Sequence, residues 1–309
     1  MKTILLLSIS LLHADSLLVL SKGDLTLSIV DPSTLKVIAH MPSGPDPHEV
    51  VADGKFAYIS NYGGGAYNTI TVVDLLAQKT LNAIDLGALR GPHGLMFAGG
   101  KLWFTAEAAK VIGSLDPATN KVDLVIGTGQ NRTHMLCVFN DLKRIITSNV
   151  SSATMTIIDK NRDWDETVIP VGRGAEGFDV SNRELWAANA QDGTISIIDL
   201  DAKKVVQTLD ANVKGANRLK FTPDGKLAFV STLSGPDLTI YDVLTRTVKK
   251  RIPIGHGAAG IEMQPDGSRA YVACTPDSYV VVVDLKSLEV TGHIDAGKNP
   301  DGMAWSKRP

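Results

Sequence analysis

Short apolar runs that end in aspartate recur along the whole chain. They read Ser28-Ile29-Val30-Asp31, Thr71-Val72-Val73-Asp74, Gly113-Ser114-Leu115-Asp116, Thr156-Ile157-Ile158-Asp159, Ser196-Ile197-Ile198-Asp199, Thr239-Ile240-Tyr241-Asp242 and Val281-Val282-Val283-Asp284. Successive aspartates stand 43, 42, 43, 40, 43 and 42 residues apart. Runs this short, rich in β-branched residues and bounded by turn residues, predict strands rather than helices. A repeat of this length with several strands per unit is that of propeller blades, not of helical solenoids.

The fourth unit shows the pattern most clearly. Strand A is expected over 177–180, strand B over 184–188, strand C over Thr194–Asp199 and strand D over 203–209. Turns such as Pro223-Asp224-Gly225 and Pro265-Asp266-Gly267 separate A from B, where Asp and Gly supply the local hydrogen bonds and backbone freedom of tight turns. The two ends of the chain are complementary. Segments 17–20, 25–31 and 36–41 supply B, C and D with no preceding A, and Pro300 to Trp305 supplies an A with nothing after it. The prediction is an all-β, seven-bladed β-propeller of four-stranded antiparallel blades. Its N- and C-terminal strands share one blade, which leaves no free sheet edge to invite aggregation.

Composition narrows the picture. The chain has 309 residues, 44% of them hydrophobic, enough for one large all-β domain over 15–309. With 31 Lys+Arg against 33 Asp+Glu and a net charge of −2, it lacks the basic excess that binding to nucleic acid through bulk charge requires. Two cysteines, Cys137 and Cys274, make no disulfide framework and read as small buried hydrophobes. Met1-Lys2, an apolar stretch over 4–12 and the small residue Ala14 read as an export signal over 1–14. The expected location is periplasmic or secreted. That stretch is too short to span a bilayer, and no other stretch is apolar for long enough.

The strand B ends Tyr58-Ile59-Ser60-Asn61, Ile146-Thr147-Ser148-Asn149, Trp186-Ala187-Ala188-Asn189 and Tyr271-Val272-Ala273-Cys274, with Pro-His-Gly type turns before strand A, carry a family likeness. In these features the chain resembles the YVTN family of seven-bladed propellers. The resemblance implies the fold and is nearly silent on function, because the wider relatives include lactonases, lyases and binding proteins.

In a propeller, the turn before strand A and the end of strand B open on one face, at the mouth of the central channel. The residues just before strand A are His48, His93, His134, Glu176, Asn217, Ala259 and Asp301, spaced by 45, 41, 42, 41, 42 and 42. Three imidazoles and a carboxylate from successive blades suit Zn or another divalent transition metal, so His48, His93, His134 and Glu176 are the candidate ligands. A second ring is expected from Lys22, Asn61, Glu107, Asn149, Asn189, Thr232 and Cys274. Glu107 breaks its polar, uncharged character and reads as a further ligand, a general base or a group that orients an imidazole. Glu107, Glu176 and Asp301 are the candidate catalytic carboxylates. Asn61, Asn149, Asn189, Asn217, Arg132 and Arg218 are the candidate substrate contacts, the two arginines for an anionic group.

Two functions follow from this pattern. One is a metal-dependent hydrolase of lactones, esters or phosphotriesters, since water on such a metal ionises near neutral pH. The other is a non-catalytic scaffold for a peptide, glycan or protein partner, with the histidines only bonding neighbouring turns. In either case the ligand is a small molecule or a peptide or glycan, and the protein is expected to be a monomer. The aspartates ending strand C read as caps of the C–D turn, Trp103 and Trp186 as inter-blade packing, and Gly63-Gly64-Gly65 as a loop on the mouth face. His40, His256 and His293 fall outside the ring register.

Overall fold

A computed structural model describes residues 15–307 other than 212 and 214. The export signal expected over 1–14 lies outside the described residues. Among these, seven antiparallel sheets stand in a ring. Their innermost strands (A) are Pro47–Ala52, Pro92–Ala98, Thr133–Val138, Ala175–Ser181, Ala216–Phe221, Ala258–Met263 and Pro300–Ser306, in blades 1 to 7. Each strand A packs against the next, and the last packs against the first. Blade 7 is composite as expected: Pro300–Ser306 pairs with Ser16–Ser21, which leads to Thr26–Asp31 and Lys36–Pro42. Blade 1 alone has a broken outer strand, Lys79–Thr80 and Ile84–Asp85, both paired with Thr69–Asp74.

The burial of each strand explains why the repeat is visible in the sequence. Strands B and C are covered on both faces by neighbouring blades and bury four or more consecutive residues, as in Thr194–Asp199. Strand D is covered on one face only, so Lys121–Gly127 alternates exposed and half-buried positions. Trp186 packs edge-on against Phe221 and Tyr241 of blade 5, at 5.7 and 6.3 Å between ring centroids. Trp103 joins a cluster with Ile145 and Ile158 of blade 3. The strand C aspartates cap the following turn: Asp31 accepts from Ser33 N at 2.8 Å, Asp116 from Ala118 N at 2.8 Å and Asp284 from Ser287 N at 2.7 Å. Asp159 differs, because the chain there enters a 3-10 turn at Lys160–Arg162; it takes Arg144 Nε at 2.9 Å and the Lys203 ammonium instead. Cys274 is buried and Cys137 half-buried, both as free thiols.

One irregularity is common to all seven blades. The A–B ladder slips by one residue near the start of strand A, as between Ala175/Phe178 and between Thr133/Leu136. Such a bulge places two residues of one strand opposite one of its partner and re-aims their side chains. Here the second and third residues of strand A both turn to the channel. The strand B hydroxyls satisfy the displaced backbone: Ser60 accepts from Glu49 N at 3.0 Å and Thr105 from Gly94 N at 2.9 Å. Thr105 also donates to His134 O of the next blade at 2.6 Å, as Ser148 does to Glu176 O at 2.7 Å and Ser231 to Ala259 O at 3.0 Å. These hydroxyls tie the mouth residues of adjacent blades together.

Candidate active site at the channel mouth

The first ring assembles as the register predicts, with one difference: its members are the second residue of strand A rather than the residue before it. All seven line a cavity of about 700 Å³ at the mouth, along with Lys22, Tyr62, Arg132 and Arg218. That volume suits a small-molecule ligand.

The second ring divides. Asn61, Asn149, Asn189, Thr232 and Cys274 are the last residues of their B strands, whereas Lys22 and Glu107 stand one residue further on. A step of one residue along a strand turns the side chain to the other face. The three asparagines accordingly turn into their own blades and are fully buried. Asn61 accepts from Thr69 and Thr71 at 3.0 and 2.9 Å; Asn149 donates to Thr154 and Thr156 at 3.1 and 2.9 Å; Asn189 donates to Thr194 and Ser196 at 3.0 and 2.9 Å. They clamp strand B to strand C and are not among the cavity's lining residues. The next position along turns toward the channel: Lys22, Tyr62, Leu233 and Thr275 line the cavity, and Glu107 is buried behind it against Tyr62 and His134. Tyr62 was missed because the expected ring carried Asn61 in its place.

The imidazoles of blades 1, 2 and 3 form one stack. His48 and His93 lie 4.7 Å apart between centroids, His93 and His134 3.8 Å apart. Tyr62 meets His48 and His93 edge-on at 4.9 and 5.1 Å and donates its hydroxyl to Glu107. The stack is uneven in charge. His134 holds the Glu107 carboxylate on Nδ1 and Glu176 on Nε2, the latter at 2.9 Å. Burial pulls its pKa down, but the two carboxylates outweigh burial and lift it to about 9, so it is an imidazolium at neutral pH. Glu107 and Glu176 are held below the usual carboxylate range: burial would raise both, and His134 more than offsets it.

His93 is the opposite case. It is 3% exposed, and burial together with the charge on His134 holds its pKa well below the ordinary value. It stays neutral, and its Nδ1 has no hydrogen-bond partner among the described residues. An unpaired buried nitrogen is costly, so it calls for an explanation. His48 turns both nitrogens toward Lys22 Nζ, at 2.9 and 3.0 Å, and that ammonium reaches Asp301 at 3.2 Å. The three histidines therefore do not offer three nitrogens to one point. One group does converge: a ring nitrogen of His93, a carboxylate oxygen of Glu107 and a ring nitrogen of His134 all lie within 4.8 Å of one another, and all three residues are buried.

Below the stack the channel is crossed by an ion pair. Arg218, 8% exposed, pairs with Glu49 of blade 1 and places Nη1 3.1 Å from Met135 Sδ. Arg218 is thus engaged from across the channel. Arg132 keeps 44% of its side chain exposed and reaches Glu107 only at 3.5 Å. Asn217 lines the cavity.

Known proteins share this fold. A family model described as the cytochrome D1 heme domain matches residues 180–307. One curated relative, antigen Lp49 of Leptospira interrogans, is 23% identical over 179 residues; the match takes in 50% of this chain and 39% of that protein, so the chain spans less than half of its length. Among solved structures, hydrazine synthase of Kuenenia stuttgartiensis superimposes with a TM-score of 0.70 at 18% identity, over 84% of this chain and 89% of that one. A functionally unknown protein from Desulfotomaculum acetoxidans gives 0.77 at 12% identity, over 96% and 100%. The dihydro-heme d1 dehydrogenase NirN, in complex with DHE, gives 0.69 at 16% identity, over 94% and 75%. At these identities the likeness is one of fold: this chain is a seven-bladed β-propeller with a His/Glu cluster at its axis.

Proposed function

We propose that the mouth cavity is a metal-dependent hydrolytic site for a small anionic ester, lactone or phosphotriester, with His93, Glu107 and His134 as the protein ligands. The observation that carries this reading is the convergence of a ring nitrogen of His93 with donor atoms of Glu107 and His134, all within 4.8 Å of one another and all on buried residues, in a histidine whose Nδ1 has no hydrogen-bond partner among the described residues. Imidazole and carboxylate donors suit Zn²⁺ or a similar ion, and small side-chain shifts bring such a cluster to ligand distance. An ion there takes the place of the proton shared by Glu107 and His134, and supplies a Lewis acid next to the cavity. Glu176 keeps its bond to His134 Nε2 and orients the ring. Arg132, the least committed cation at the mouth, takes the substrate's anionic group. Glu176 and His48 thus move from the expected ligand set to supporting positions.

The cytochrome D1 heme domain and NirN raise a haem-type ligand. An axial haem ligand needs an accessible imidazole nitrogen. Both nitrogens of His48 face Lys22, both of His134 face carboxylates, and His93 is buried. The matched stretch 180–307 contributes His256, which stands on Asp277, and His293, which packs on Tyr279. A haem bound through an axial histidine of the mouth stack does not fit this arrangement, and His256, exposed with only Nδ1 on Asp277, is not among the residues that line the mouth.

We also assign the repeat to the YVTN type, on the strand B ends quoted above, and place the protein outside the cytoplasm, on the leader-like first residues. The test of function is hydrolysis of aryl esters, lactones and phosphotriesters before and after chelation, with Zn²⁺ or Co²⁺ added back. Activity lost on chelation and in His93→Ala is expected. Activity indifferent to both refutes the metal reading, and an inactive panel favours a binding scaffold.

A further inference from the structure

The channel has a second chamber beneath the Glu49–Arg218 pair, which lines both spaces and divides them. It holds about 350 Å³. Its walls are polar and apolar in nearly equal measure, the apolar part including Phe97, Leu136, Phe178, Met303 and Trp305. Four titratable groups face it besides that pair: Lys220, Asp179, Glu262 and Cys137.

These groups leave one cation without a bond. Asp179 is engaged by backbone, accepting from Val180 N and Phe221 N, both at 2.9 Å. Glu262 accepts from Trp305 N at 3.1 Å. Burial lifts Glu262 to about 7, against the pull of Lys220, so it spends part of the neutral range as an uncharged acid. Cys137 is pushed up to about 11 by burial and stays a thiol. Asp179, and Glu262 when it is ionised, act on Lys220 from a distance and keep it charged. Among the described residues its ammonium has no hydrogen bond and no ion pair within 4.0 Å. Lys220 is half-buried, and its ammonium brings three donors to the chamber wall that a ligand can take up.

We propose that this chamber is a second ligand site, distinct from the mouth, for a small monocarboxylate with an apolar tail. The carboxylate takes the Lys220 ammonium, uncharged Glu262 donates to it, and the tail lies against Phe97, Phe178 and Trp305. The site does not depend on the hydrolytic reading of the mouth, since no proposed metal ligand lines it.

The experiment is calorimetric titration of the full chain with three probes of one shape: hexanoate, hexylamine and hexanol. Hexanoate is expected to bind one to one, and the other two at least about tenfold more weakly. Lys220→Gln should weaken hexanoate by about ten- to a hundredfold, while Lys220→Arg and Arg132→Gln retain it. Equal binding of hexylamine or hexanol overturns the proposal. So does no heat up to about 10 mM hexanoate, or a loss that follows Arg132→Gln rather than Lys220→Gln. The three-probe series on the unaltered chain decides the matter even where Lys220→Gln does not fold.

Discussion

Blades 1 to 3 and blades 4 to 6 share one backbone plan and differ in what they show the channel. In both arcs strand A carries the same bulge, and in both a strand B hydroxyl ties one blade to the next, Thr105 in the first and Ser231 in the second. The first arc fills the mouth position with His48, His93 and His134, the second with Glu176, Asn217 and Ala259. The match to the cytochrome D1 heme domain covers residues 180–307, which hold blades 5 and 6, all but the first strand of blade 4, and strand A of blade 7. The stretch that the family model matches is thus the one without the imidazole stack. The repeat builds the frame everywhere, and the imidazole stack rests on a few substitutions in one arc.

The largest expected effect lies where the arcs meet across the channel. Glu49 belongs to the first and Arg218 to the second, and each is buried with the other. Glu49→Ala leaves a buried guanidinium uncompensated and should cost about 3–5 kcal/mol in urea unfolding. Glu49→Leu combined with Arg218→Met should recover most of that loss, because an apolar pair of similar volume avoids the desolvation of two charges. A single variant as stable as the parent would show that the arcs are not joined there.

Next come the glycines that let strands A close on one another. A Cβ on Gly94 would stand 2.7 Å from His134 O, and one on Gly260 2.1 Å from Asp301 O. Gly94→Ala and Gly260→Ala should each lower stability by about 1–3 kcal/mol, read as the shift in thermal midpoint. Similar losses in both arcs would confirm a common frame; a loss in one arc only would break the comparison.

Metal affinity should separate the arcs more sharply than stability does. Glu107→Gln, which removes a proposed ligand, should abolish Zn²⁺ binding. Glu176→Gln removes only the partner of His134 Nε2 and should cost about 10–100-fold. Asn217→Ala should leave affinity unchanged. Competition dialysis measures all three.

The pH dependence carries a definite sign. Metal binding needs His134 deprotonated, and its pKa is raised to about 9. Affinity should therefore climb with pH through the neutral range and level off only near pH 9. A ligand set with an ordinary histidine pKa near 6.5 would level off by about pH 7.5.

Much of this architecture was legible in the sequence. The Asp-terminated runs are visible because strand C is covered on both sides and cannot alternate, and the orphan strand at Pro300 announced the composite blade. The first ring was legible because one residue per blade keeps its register across the repeat. The second ring was not, since Lys22 and Glu107 sit one step beyond Asn61, Asn149 and Asn189, and that step separates the channel from the blade interior. Glu49 was missed for a related reason. The bulge that turns both His48 and Glu49 to the channel is a property of strand pairing, and a single strand's pattern does not contain it. Who bonds whom in the stack depends on ring orientation, so the capture of both His134 nitrogens by carboxylates left no mark in the sequence.

The central claim is that His93, Glu107 and His134, rather than the three histidines together, hold one metal ion. The most direct measurement is a Co²⁺ titration followed by visible absorption, on the parent chain, His93→Ala and His48→Ala. The account predicts one ion per chain in the parent, no binding in His93→Ala, and binding within about threefold of the parent in His48→Ala. No Co²⁺ spectrum in the parent, or equal losses in the two variants, would contradict it.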